Sequence, residues 1–202
     1  MRNSGATGRR HTVKAAAVVI LLHQALFQGL FIAKNVTLKL KLGQPIRGNN
    51  PEARAAVAFL TGFIALSLYF AWTGAAPGTV HILSTPVALG VSLALLLVST
   101  VMGLASLRDL GDSWRVGVIE GQRTDLVEDG VYRVTRNPYF VAYLLMTLAY
   151  TILLQNLVLL VLAIAGCGLI HRMIVKEEQH LESLHGEAYR HYRQRVPRYL
   201  LL

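Results

Sequence analysis

Five apolar runs decide what this chain can become. They cover residues 13–33, 55–73, 87–107, 138–154 and 157–175. A helix needs about 20 predominantly apolar residues to cross the hydrocarbon core of a bilayer, and there every backbone polar group must be satisfied within the segment. Runs of this length are therefore expected to be membrane-spanning helices. The fourth and fifth are separated only by Gln155-Asn156, which leaves room for a tight helical hairpin. Pro86 stands where the third run opens, a position that tolerates proline. The expected fold is an all-α integral membrane protein of about five transmembrane helices, the last two a tight hairpin, with a cytoplasmic loop and a C-terminal amphipathic helix.

Composition agrees. Of the 202 residues 53% are hydrophobic and 15% charged, against about 25% charged in an ordinary soluble domain. The twenty Lys and Arg sit at or beyond the ends of the apolar runs. Orientation and contact with anionic lipid account for the net charge of +9, and no nucleic-acid partner is expected. The single cysteine, Cys167, lies in the fifth run. It makes no internal disulfide and no zinc site by itself, and it reads as a small residue that lets helices approach. The N-terminal stretch is similar to a signal peptide, but its apolar part is long enough to be a retained span.

Lys and Arg orient the spans. Segment 34–54 holds Lys34, Lys39, Lys41, Arg47 and Arg54; segment 106–137 holds Arg108, Arg115, Arg123, Arg133 and Arg136. From residue 172 onward come Arg172, Lys176, Arg190, Arg193, Arg195 and Arg198, while 74–79 and 155–156 hold none. The positive-inside rule puts the three basic segments in the cytoplasm. Arg2, Arg9, Arg10 and Lys14 oppose that orientation for the first span. The soluble material then lies mostly on one side, as the loop 106–137 and the stretch after residue 175. In the latter, Leu181, Leu184, Ala188, Tyr192 and Val196 recur every three or four residues, the stripe of an amphipathic helix that Pro197 ends. The chain divides at 107 into three N-terminal spans and a C-terminal core, 108–202.

A polar cluster, "GVYRVTRNPYF" at residues 130–140, adjoins the fourth run. A residue before proline is driven out of the helical region, asparagine is a favoured N-cap and proline a favoured first residue. Asn137-Pro138 therefore marks a helix start, and Tyr139 suits an interfacial aromatic belt. Arg133 and Arg136 are not required by either role. Cations beside a helix N-terminus invite an anion, or they meet lipid headgroups. A second cluster, "HRMIVKEEQH" at 171–180, ends the fifth run, and a tight hairpin returns it to Asn137. Convergence of two such clusters at one membrane edge points to a site. Glu177-x-x-His180 is one half of a di-iron pattern that needs two, so no metal is expected. No Gly-x-Gly-x-x-Gly, phosphate-binding loop or Gly-x-Ser-x-Gly occurs.

The stretches "SWRVGV", "LVEDGVYRVTRNPYFVAYLL" and "EEQHLESLHGEAYRHYRQRVPRY", in that order, resemble the isoprenylcysteine carboxyl methyltransferase family and the related integral-membrane phospholipid methyltransferases. The resemblance covers about residues 111–199. It implies a membrane enzyme using S-adenosylmethionine and acting on a lipophilic or lipid-linked acceptor in the membrane, multi-pass in the inner or plasma membrane with its site facing the cytoplasm. It places cofactor binding at Tyr132, Arg136, Asn137, Pro138, Tyr139, Glu177 and Glu178, with Gly130 shaping the loop. Catalytic roles fall to Glu178 and to Arg172, the latter as the cation that holds an acceptor carboxylate. Asn137 stands where the eukaryotic pattern has histidine, so no general base is available there. Two alternatives remain: a membrane NADPH-dependent reductase of similar helical layout, and a non-catalytic scaffold whose clusters anchor helix ends. Neither the oligomeric state nor the acceptor is specified.

Overall fold

A computed structural model describes residues 4–48, 51–74, 76–117, 119 and 124–200, with side chains from residue 15 onward. Arg2 and Arg123 of the charge pattern lie outside them. Among the described residues six α-helices follow one another: α1 Ser4–Leu42, α2 Pro51–Thr73, α3 Thr85–Asp109, α4 Pro138–Leu154, α5 Leu157–His185 and α6 Glu187–Arg195. Short 3-10 turns stand at Gly111–Ser113 and Gly130–Arg133. Among the described residues four stretches are long and apolar enough to cross a membrane: Ala15–Leu42, Pro51–Thr73, Thr85–Asp109 and Leu157–His185. The 17 residues of α4 rise about 25 Å, the short end of a crossing. The chain is thus an all-α membrane protein.

Local chemistry sets the ends of these helices. Pro86 lies in the first turn of α3 and Pro138 in that of α4, as expected. The hairpin between α4 and α5 needs only Gln155 and Asn156. Gln155 adopts a left-handed conformation, φ 45°. Its side chain is anchored as Oε1 accepts from the backbone N–H of Ile82 (2.9 Å) and Leu83 (2.7 Å). The Asn156 side chain caps α5 by accepting from Leu159 N–H at 3.1 Å. The connection from α2 to α3 therefore packs on the α4–α5 turn, and both uncharged connections share one end of the bundle.

The basic segments share the other end. Residues 46–48 pair with Val116 through Val116 N–H to the Ile46 carbonyl (2.8 Å) and Gly48 N–H to the Val116 carbonyl (2.9 Å). Lys176 of α5 meets Glu52 of α2 at 2.9 Å. Charge and contacts thus sort the connections in the same way.

α3 packs most closely on α4 through a face of small residues. Ala88, Ser92, Ser99, Gly103 and Ser106 are all buried, and Ser99 Oγ donates to the Ala142 carbonyl at 2.7 Å. Small side chains let membrane helices approach closely. At Gly103 a Cβ would stand 2.7 Å from the Phe27 ring of α1. The main core gathers Ile20, Phe63, Met146, Tyr150, Leu159 and Ile174.

Two expectations are corrected. The first helix runs on to Leu42, so Lys34, Lys39 and Lys41 ride on its last turns rather than in a connection. The amphipathic stripe is not one helix. Gly186, at φ 53°, breaks it into the end of α5 and the separate α6, with Leu181 and Leu184 before the break and Ala188 and Tyr192 after it. Arg195 ends α6 just ahead of Pro197.

Candidate functional site

Asn137 occupies the N-cap position of α4, but its side chain makes no cap hydrogen bond. Its carboxamide turns instead to α5, where Nδ2 donates to Glu178 Oε1 at 3.0 Å and to the Arg198 carbonyl at 3.3 Å. The hairpin thus returns Glu178 to Asn137, as the sequence implies, with a different use for the asparagine.

Glu178 is the hub of a buried ion network. Arg136 meets it through Nε to Oε1 (3.2 Å) and Nη2 to Oε2 (3.3 Å). Arg198 closes the other side, Nη2 to Oε2 at 2.8 Å and Nε to Oε2 at 3.1 Å. The Glu178 side chain is 6% exposed and that of Arg136 7%. Arg136 Nη1 also donates to the carbonyls of Arg193 (2.9 Å) and Val196 (3.3 Å), which caps the end of α6. The segment after α6 is held by Arg136 N–H to the Pro197 carbonyl (3.0 Å) and by Thr135 Oγ1 to the Arg198 carbonyl (2.8 Å). Arg136, Asn137, Glu178 and Arg198 therefore fasten three elements together. Both arginines present their charge to Glu178, so this acid is matched inside the protein.

Glu177 differs from its neighbour. One residue along an α-helix is a turn of 100°, and Glu177 faces a cavity of about 530 Å³. It is half-buried and makes no hydrogen bond or ion pair among the described residues. The polar chamber of this cavity also holds His180, Tyr132, Asn137 and Tyr189. Tyr189 is buried, and its hydroxyl has no hydrogen-bond partner among the described residues. Burial pushes its phenol above the ordinary range, so it stands as a neutral hydroxyl. The same cause raises Tyr132, whose hydroxyl pairs with Ser106 Oγ at 2.9 Å and whose carbonyl accepts from Tyr192 at 2.8 Å.

Aromatic rings wall the next part. Tyr139 lies 4.8 Å from Trp114, 5.3 Å from Tyr143 and 6.0 Å from Phe31 between ring centroids, and all four line the cavity. Beyond them an apolar arm follows α2 along Ala56, Leu60, Ile64 and Leu68, a rise of about 18 Å. Val57, Thr61 and Ala65 line it as well and are exposed, so the arm opens on the outer face of the bundle.

Of the residues singled out in the sequence, the structure brings Tyr132, Arg136, Asn137, Pro138, Tyr139, Glu177 and Glu178 together around this cavity. Arg172 is not among its lining residues. Five positions before Glu177 it points about 140° away around α5, and it is exposed. Sequence reasoning missed Arg198, whose only signal was the "VPRY" context. It also missed the α1 and α2 residues of the arm, which carry no motif.

An all-helical membrane protein with a cavity at one edge of the bundle, polar and acidic at one end and apolar at the other, is a setting for chemistry on amphiphiles. A family model described as phospholipid methyltransferase matches residues 87–188. The match spans half of the chain, and the chain belongs to that family, which includes the isoprenylcysteine carboxyl methyltransferases. It is a membrane methyltransferase for lipid-like substrates. A search of curated proteins found no match.

Proposed function

We propose that the protein transfers a methyl group from S-adenosylmethionine to a lipophilic acceptor that enters from the bilayer. One observation carries this reading: a single cavity joins a polar chamber, containing Glu177 and Tyr189, to an apolar arm that opens along α2. The residues present fit the cofactor. The chamber offers an acid and a buried hydroxyl that have no partner among the described residues, the acid suited to an ammonium or to ribose hydroxyls. The start of α4 beside Arg136 and Pro138 suits a carboxylate, because the first N–H groups of a helix lack intrahelical partners.

When bound, the cofactor supplies an activated methyl group on a sulfonium for in-line displacement by the acceptor. The chain contributes placement. Trp114, Tyr139, Tyr143 and Phe31 turn a ring-lined wall toward any cation in the cavity and keep water from the reacting atoms. Glu178 acts as a positioning residue, since it fixes Arg136 and Asn137 and touches the segment after α6. Glu177 and His180 are the groups available to take a proton from an acceptor that releases one. The basic end of the bundle, and with it the site, faces the cytoplasm by the positive-inside rule.

Calorimetry with S-adenosylhomocysteine on the purified protein tests this. Wild type is expected to bind, Glu177→Gln to bind at least about tenfold more weakly through loss of a charge-assisted hydrogen bond, and Arg172→Ala to bind as wild type does. No binding by wild type would sink the proposal.

A further inference from the structure

The apolar arm is not polar-free. Gln24 and Gln28 lie one turn apart on α1, and both line the cavity. Polar side chains at membrane depth are costly unless their groups are matched. Gln24 is matched: Nε2 donates to the Tyr150 hydroxyl (2.9 Å) and lies 3.1 Å from Met146 Sδ, while Oε1 accepts from Gln28 Nε2 at 3.2 Å. The Tyr150 hydroxyl in turn reaches His23 Nδ1 at 2.8 Å, so Gln24 is held from behind. Gln28 spends both of its N–H groups, one on Gln24 and one on the Tyr143 hydroxyl oxygen. Its own oxygen, Oε1, accepts from no described residue. Tyr143 accepts from Gln28, and a phenol has one proton of its own to give; no described residue takes it. Gln28 and Tyr143 are both half-buried, and both line the cavity. An open acceptor and an open donor therefore stand side by side on its wall.

Resting on the methyltransferase reading above, we propose that Gln28 is a specificity-determining residue that selects a methyl acceptor carrying a hydroxyl group at the start of its apolar part. A hydroxyl has one proton and two lone pairs. It donates to Gln28 Oε1 and accepts from the Tyr143 hydroxyl at once, whereas a carbonyl, an ether or a thioether only accepts. A chain without a hydroxyl there would seal Gln28 Oε1 from water with no partner, which penalises the complex. Position adds a second constraint. Tyr143 is six residues past Asn137, about 9 Å along α4, so the hydroxyl sits about that far from the polar chamber. Gln24 and Gln28 both precede the stretch 87–188 that the family model matches. This determinant therefore lies outside the segment that assigns the chain to its family.

The test uses the full chain in lipid nanodiscs with Trp72→Phe, which leaves Trp114 in the cavity wall as the one tryptophan of two that reports. Three monoalkyl probes share a phosphoethanolamine headgroup and one chain length. They differ at a single carbon about 9 Å from the amine, which carries a hydroxyl, a methyl ether or hydrogen. The hydroxyl probe is expected to bind about tenfold more tightly than either of the others, the worth of one hydrogen bond. The ether comparison isolates Gln28, because both oxygens accept from Tyr143 and only the hydroxyl donates. In Gln28→Met, which keeps length and apolar packing, hydroxyl and ether are expected to bind within about twofold of each other, and Gln28→Leu repeats the measurement with a second side chain. Unchanged S-adenosylhomocysteine affinity in these variants shows that they are folded, and the wild-type comparison stands without them. Equal affinity of hydroxyl and ether for wild type, absence of binding by all three probes, or a preference that survives both substitutions overturns the role of Gln28. S-adenosylhomocysteine binding by wild type reports separately on the methyltransferase reading, so the two failures are distinguishable.

Discussion

At the scale of single residues, two adjacent glutamates have opposite tasks. Glu178 is enclosed by Arg136, Arg198 and Asn137. Its removal leaves two guanidinium groups facing each other with no acid between them. Breaking a buried ion pair from one side costs about 3–5 kcal/mol, so Glu178→Ala is expected to lower the thermal unfolding temperature in detergent markedly. Glu177→Gln alters an acid that no described residue pairs with, and its stability is expected to stay within about 0.5 kcal/mol of wild type while cofactor-product binding falls. Stability and binding measured side by side on the two variants separate the roles; the reverse pattern would exchange them. The sequence shows that both acids return to Asn137, because the hairpin is short. It does not show which one faces the cavity, since that depends on the phase of α5 and on Arg198, which reaches back from beyond α6. Arg172 lies away from the cavity for the same reason, as helical phase carries it to the outer face.

At the scale of elements, the helices were legible because apolar run length alone defines a crossing in lipid. What escaped was the break between α5 and α6. The stripe from Leu181 to Val196 continues in register through Gly186, and only the backbone conformation there, φ 53°, reveals the bend. Side chains other than glycine's are penalised in that region by about 1–2 kcal/mol. Gly186→Ala is therefore expected to destabilise the fold by about that amount, or to straighten α6 away from Tyr132, and Tyr192 exposure measured by hydrogen exchange around residue 132 would register the second outcome. The α3 face gives another test. A larger residue at Gly103 strikes the ring of Phe27, which is stacked on Tyr139 at 5.6 Å. Gly103→Val is expected to lower stability and to weaken S-adenosylhomocysteine binding together, because the displaced ring pushes on the cavity wall. A loss of stability with unchanged binding would show that the wall does not depend on α1.

At the scale of the whole molecule, charge and contacts sort the connections to two ends of the bundle, and the candidate site lies at the basic end. In a Cys167→Ser background, Ala188→Cys is expected to react with an impermeant maleimide only after the cells are permeabilised, and His81→Cys, on the connection from α2 to α3, to react in intact cells. The opposite labelling would turn the site to the outside. The segment that follows α6 has a bearing on how the protein is made. The Thr135 hydroxyl bonds to a carbonyl 63 positions later, and Arg198 supplies one of the two guanidinium groups that balance Glu178. During synthesis both Arg136 and Glu178 emerge first. They must wait at the bilayer edge, incompletely neutralised, until α5 has been inserted and the later stretch has folded back. Completion of the Glu178 network thus follows insertion of the helices that carry Arg136 and Glu178.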